Sequence, residues 1–306
     1  MSRPSLVLMY HAFATEPLAV PDPGALHVQA DALAMQLRTL AQQRFRFLSL
    51  DEYLARNEAG GDAERTCLVT IDDGYRSVLD VALPVLAAAA VRPVLFVPTD
   101  CVAGDSGGLG APAVPPSAAG APLKARTYPL LDADELRVLA GNGWSIGAHG
   151  SSHTSMISVT PAELHRQTVH AKRSVEAITA TPCRAFAYPF GYFDGPATLA
   201  VARAGFDVGF SVHRDLGPFA RARVDVNATD TPRTFRLKMV PHYRRMWSAA
   251  GHLRGLRPLV RGLGGGRHRT AAPVAGPRNC ERALMIETPC ADSRAVRTVD
   301  TLQASR

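Results

Sequence analysis

The sequence predicts an α/β protein built on a parallel sheet, and three observations predict it. Short apolar runs of strand length recur, at Ser5–Met9, Cys67–Ile71, Val94–Val97, Trp144–Ala148, Arg184–Tyr188 and Phe206–Val212. Between them lie stretches with apolar residues at helical spacing. Residues able to do chemistry close or follow several of the runs: His11, Asp72-Asp73, His149 and Tyr188. Alternating strands and helices imply βα units, and in a parallel α/β barrel the C-terminal strand ends form the active face. The chain has 306 residues, 46% of them hydrophobic and 20% charged. That balance excludes a wholly disordered chain, a collagen and a coiled coil.

Ser5–Met9 reads as a buried strand that ends at Tyr10-His11. Val28–Gln43 reads as a helix, with Leu33, Leu37 and Leu40 on one face. Cys67–Ile71 is a second buried strand and runs into Asp72-Asp73-Gly74. Ser77–Ala90 reads as a helix in spite of Pro84, and Val94–Val97 as a strand closed by Pro98. Ser106–Pro122 holds four Gly, four Pro, five Ala and two Ser, which predicts a flexible insertion. Asp132–Ala140 reads as a helix, and Trp144–Ala148 as a strand ending at His149. Thr160-Pro161-Ala162-Glu163 is a helix start, with a Thr cap, Pro at the first position and Glu at the third. That helix is predicted to run to about Thr179. Arg184–Tyr188 is a strand, followed by the turn Pro189-Phe190-Gly191-Tyr192. Ala197–Arg203 reads as a helix and Phe206–Val212 as a strand. From about Gly251 the pattern dissolves. The expectation is one catalytic domain over 1–242 and an Arg-rich extension over 243–306, largely disordered from about residue 264.

The net charge of +7 belongs to the extension. Residues 243–306 hold 12 Arg and 4 acids, or +8, whereas the first 242 hold 22 basic and 23 acidic residues, or −1. Such a tail can meet nucleic acid or anionic lipid. A solvated tail needs no partner, and no nucleic acid is expected. No apolar run reaches the roughly 20 residues that cross a bilayer, so no transmembrane segment is expected. The apolar stretch at the start is too short for a secretory signal. As written, the chain is expected in the cytoplasm, with another export route or a misassigned start left open. Cys67, Cys101, Cys183, Cys280 and Cys290 are odd in number and widely spaced, which fits a reduced compartment.

Adjacent carboxylates such as Asp72 and Asp73 repel. A metal ion gives a protein a reason to keep both: one ligates while the other takes a proton. The alternative is a simple turn, where Asp-Gly is common. His149 and His153 stand four apart. On a helical turn they would face one way and share a metal; the alternative is two unrelated histidines. Two His with one carboxylate leave coordination positions open for water and substrate.

In chain order, Thr70-Ile-Asp-Asp-Gly74, His149–His153 and Tyr188–Gly191 resemble motifs of the polysaccharide deacetylase family, carbohydrate esterase family 4 or NodB-homology domain. The resemblance covers about residues 5–240. It implies a distorted (β/α) barrel that uses a divalent metal, usually Zn2+. It implies that Asp73, His149 and His153 bind the metal and that Asp72 is the general base. The backbone N–H of Phe190 would serve the oxyanion, within the substrate-facing turn Tyr188-Pro189-Phe190-Gly191. The implied reaction removes N-acetyl groups from an amino-sugar polysaccharide or its precursor, so the implied partner is an N-acetylated glycan. Leu8-Met9-Tyr10-His11 and Phe186–Gly191 further resemble the exopolysaccharide and poly-N-acetylglucosamine deacetylases. That subgroup implies His11 as general acid; a His capping its strand is the alternative. Tyr188 and Phe190 would offer aromatic faces to a sugar, with barrel-rim packing as the alternative.

The sequence departs from the family pattern in three places. The Arg that opens the third motif and orients the catalytic Asp is replaced by Ala187, with Arg184 three residues upstream. Gly150 stands where Ser or Thr is usual. The late Leu-x-His motif has no match, although His213, His242 and His252 are present. Two further readings stand beside the deacetylase: an amidase of the same fold acting on another non-peptide C–N bond, and a degenerate glycan-binding member. Keeping Asp72, Asp73, His149 and His153 together argues against the last.

Overall fold

The computed structural model describes residues 4–18, 22, 24–102, 129–212 and 215–240. The 106–122 insertion, the end of the 1–242 domain, the 243–306 extension, His213, His242 and His252 lie outside the described residues.

The chain opens with β1 (Leu6–Tyr10), β2 (Ala12–Ala14), β3 (His27–Gln29) and α1 (Ala30–Gln42). There follow β4 (Arg46–Leu48), α2 (Leu50–Glu58), β5 (Thr66–Ile71), a π-helical turn Val78–Ala82 that runs into α3 (Leu83–Ala88), and β6 (Val94–Val97). Next come α4 (Ala133–Gly141), β7 (Ser145–Ala148) and a long helix in three parts: α5 (Pro161–His165), a π-helical turn Arg166–His170 and α6 (Ala171–Thr179). The described part ends with β8 (Ala185–Ala187), α7 (Gly195–Arg203), β9 (Val208–Ser211), β10 (Arg221–Ala222), β11 (Val224–Asp225) and α8 (Pro232–Lys238).

Every pairing in the main sheet is parallel, in the order β10-β9-β8-β7-β6-β5-β1-β11. Only Arg223 separates β10 from β11. One short segment therefore pairs β9 at its start, through Arg221↔Phe210, and β1 at its end, through Leu8↔Val224. It joins the two edges and closes the sheet into a barrel, which leaves no open edge along those strands. The expected α/β barrel is what the chain forms.

Side chains alternate across the barrel wall, as strand geometry requires. Val7, Leu68, Phe96, Ala185, Ala187, Val208 and Phe210 belong to one buried cluster, which fills the interior. Leu6, Leu8, Tyr10, Val69, Ile71, Leu95, Ile146 and Phe186 belong to the other, which lies against the helices. β4 pairs the start of β5, and Leu50, Tyr53 and Leu54 of α2 join the interior cluster at that end. Gly147 is needed here. A Cβ on it would lie 2.5 Å from the Phe96 ring, which fills the interior against Phe210.

Several elements were not evident from the sequence. The Ser77–Ala90 helix is interrupted by its π turn just before Pro84, the residue that lacks an N–H to donate. α2 carries a capping box from Ser49 and Glu52. β2, β3, β4, β10 and β11 are each only two or three residues long, too short to show a period. Cys67 and Cys183 are buried free thiols, as small packing residues would be.

Candidate metal centre and active site

Strand parity aims the site. His11 follows Tyr10, Asp72 follows Ile71 and His149 follows Ala148; those last strand residues face the helices. The next residue on each strand turns to the inside. Three polar groups thus reach the barrel mouth from β1, β5 and β7. Tyr188 falls on the other parity, and this corrects the sugar-platform reading. It is fully buried, packs on Phe186 and Phe193, and donates its hydroxyl to the Phe219 carbonyl at 2.8 Å.

Asp72 and Asp73 are both buried but diverge. Asp72 continues the ladder, its N–H donating to the Tyr10 carbonyl at 2.9 Å. Asp73 sits at φ +73°, in the left-handed region that a non-glycine residue enters at a cost of about 1–3 kcal/mol. That reversal sends its carboxylate to the histidines. His153 Nε2 lies 3.1 Å and His149 Nε2 3.5 Å from Asp73 Oδ1. The ligand atoms of Asp73, His149 and His153 all lie within 4.8 Å of one another.

These residues fit a metal ion. His149 Nδ1 donates to the Ala187 carbonyl at 2.8 Å, which leaves the Nε2 lone pair facing Asp73. Two imidazole nitrogens and one carboxylate oxygen converge, and three protein ligands leave a position open on a four-coordinate ion. The link between the histidines is not the helical turn that their spacing suggested. Gly150 and His153 both have positive φ, and an irregular loop joins the rings edge to face at 4.7 Å.

Asp72 is held by a different partner. Arg223 donates from Nη1 to Oδ1 at 2.6 Å and from Nη2 to Oδ2 at 2.7 Å. The same guanidinium reaches Thr70 Oγ1 at 3.2 Å and the Ser211 carbonyl at 3.3 Å, and lies over the Phe96 ring. Ala187 makes no such contact, and an arginine from the barrel-closing segment pairs with Asp72 from another side. Arg184 pairs with Asp51 and Asp207 at the surface instead. Burial pushes the Asp72 carboxyl up, but Arg223 and then His149 outweigh it and hold it below the usual carboxylate range. Burial also opposes ionisation of Asp73, yet His153 and His149 hold it well below that range.

His11 has a buried Nδ1 with no hydrogen-bond partner among the described residues. Phe190 takes φ +60° inside its short turn, and its ring meets that of His153 edge to face at 4.7 Å while part of it stays exposed. Pro189 and Gly191 are buried supports of that turn. Tyr192, beyond it, is 45% exposed. Among the described residues no helix is long and apolar enough to cross a membrane.

Comparison with known proteins agrees with this arrangement. Residues 59–209 match the family described as polysaccharide deacetylase. YxkH of Bacillus subtilis, named for the same family, is 20% identical over 227 residues, covering 72% of this chain and 71% of its own. The deacetylase PplD of Streptococcus pyogenes, solved with acetate, has a similar fold. Its TM-score is 0.63 at 19% identity, over 79% of this chain and all of its own. A de-N-acetylase from Aggregatibacter actinomycetemcomitans gives a TM-score of 0.59 at 15% identity, over 77% and 99%. Motifs, barrel, site geometry and family match converge on one assignment: the chain carries a polysaccharide deacetylase domain.

Proposed function

We propose that this site hydrolyses the N-acetyl amide of an amino-sugar polysaccharide or its precursor and releases acetate. One observation carries the reading. Two adjacent buried carboxylates have been given different partners, a bidentate arginine for Asp72 and two histidines for Asp73. A turn has no use for that division, and neither has a site that only binds glycan. The names of the similar structures, one a de-N-acetylase and one solved with acetate, support the same chemistry.

Asp73, His149 and His153 would hold the divalent ion, with Zn2+ suited to this donor set. When bound, the ion lowers the pKa of water and polarises the amide carbonyl. Asp72 accepts the proton of the attacking water. Its Oδ2 is the oxygen beside the cluster, 3.8 Å from His149 Nε2. Arg223 occupies one lone-pair site on each oxygen of Asp72, which fixes the carboxylate plane and leaves a second site on Oδ2 for the proton. Ionisation of Asp72 at neutral pH is secured by the same contact. The oxyanion that develops on the amide would take a hydrogen bond from the Phe190 N–H. His11, across the mouth from the histidine pair, would protonate the departing amine. Phe190 and Tyr192 would meet the apolar face of the sugar.

Zinc-reconstituted protein is expected to release acetate from N-acetylglucosamine oligomers. A chelator should abolish release and added zinc restore it. In the same assay His11→Ala should keep its zinc and lose turnover by about 10²–10⁴-fold, the usual worth of a general acid. A zinc-loaded protein with no acetate release would sink the deacetylase reading.

A further inference from the structure

Gly150 lies inside the loop that joins His149 to His153, and the structure shows what takes the place of a side chain there. Gln167, fully buried, projects from the Arg166–His170 π turn. Its Oε1 accepts from the Ser151 N–H at 2.7 Å and the Ser152 N–H at 3.2 Å. Its Nε2 donates to Ser152 Oγ at 2.7 Å and to Glu163 Oε1 at 2.6 Å. A Cβ at position 150 would stand 2.5 Å from Gln167 Oε1, so any side chain there would push the carboxamide from its place. The positive φ of Gly150 adds a second reason for glycine.

The opposite side of the loop is also pinned. Thr99 N–H donates to the Gly150 carbonyl at 3.2 Å, and Asp100 N–H to the Ser151 carbonyl at 2.8 Å. Ser151 Oγ donates to the Arg166 carbonyl, back on the π turn, at 2.8 Å. The loop hydrogen-bonds to the π turn and to the residues after β6, and among the described residues Gln167 is the one side chain that holds two consecutive backbone N–H groups of it. π turns within α-helices often serve functional sites. This one interrupts the helix just where a side chain must reach the loop.

We propose that Gln167 is a positioning residue for the metal-ligand loop and sets the affinity of the Asp73–His149–His153 cluster for a divalent cation. The inference rests on the metal reading of that cluster. Gln167 touches no ligand directly. Its effect runs through the backbone between the two histidines, and groups that orient ligands in this way typically change metal affinity by about 10–100-fold.

The test is a zinc titration of chelator-stripped full-length protein against a chromogenic competitor, with the melting temperature of the metal-free form recorded beside it. Gln167→Met keeps the length and removes the carboxamide; zinc affinity should fall by about 10–100-fold. Gln167→Asn keeps the amide but is one methylene short, so it should also lose affinity while the metal-free form melts close to wild type. It serves where Gln167→Met does not fold. Gly150→Ala should weaken zinc binding by forcing the carboxamide aside, and should cost less on a Gln167→Ala background than on wild type. Zinc affinity within about twofold of wild type in Gln167→Asn, with wild type binding normally, would overturn the role of Gln167 alone; a change of that size is below the range that ligand-orienting groups show. Failure of wild type to bind zinc would overturn the proposal together with the metal reading beneath it.

Discussion

Replacing Arg223 by methionine is expected to destabilise the protein by about 3–5 kcal/mol, the usual cost of removing one partner of a buried ion pair. For a domain of this size that lowers the melting temperature by roughly 10 °C. The guanidinium side chain is wholly buried and the Asp72 carboxylate nearly so. Without it, Asp72 is left ionised and buried without its bidentate partner, or takes up a proton and ceases to be a base. Either outcome removes turnover. Arg223→Lys keeps the charge but not the planar fork, so it should recover stability better than activity. The variant with both Arg223→Met and Asp72→Asn should melt above Arg223→Met alone, because no carboxylate is then stranded. A melting temperature for Arg223→Met within about 2 °C of wild type would show that the pair contributes little to stability.

Removing any one of Asp73, His149 and His153 is expected to strip the ion and the activity together. Each would supply one of three protein ligand atoms, and no fourth His, Cys, Asp or Glu joins the group among the described residues. The loss should exceed the 10–100-fold or so expected of a residue that merely orients a ligand. Dialysis followed by elemental analysis checks it. One zinc per chain retained in Asp73→Ala would mean that the ion sits elsewhere.

Much of this site was legible in the sequence because strand ends announce themselves. A buried parallel strand reads as an apolar run, and the polar residue that breaks the run is the one at the barrel mouth. Asp72, His149 and His11 were visible for that reason. Strand parity could also have separated Asp72 from Tyr188, since Tyr188 follows Ala187, an interior residue, by one position. Arg223 was hidden for the opposite reason. It lies 151 residues from Asp72, and Arg221-Ala222-Arg223-Val224-Asp225 alternates charged and apolar residues. That pattern reads as an exposed edge. It is instead the closing strand, whose pairing with β9 and β1 depends on the whole barrel having formed. Gln167 was hidden because a π turn has no sequence signature in this helix. α2 was more accessible: Ser49 and Glu52 form a capping box, and Leu50, Tyr53 and Leu54 share a face.

The central claim is that Asp72 moves a proton while Asp73 holds the ion. Measuring zinc content and acetate release on one preparation of Asp72→Asn tests it most directly. About one zinc per chain is expected, held by Asp73, His149 and His153, with acetate release reduced by about 10²–10⁴-fold. Loss of the zinc, or acetate release at the wild-type rate, would contradict it.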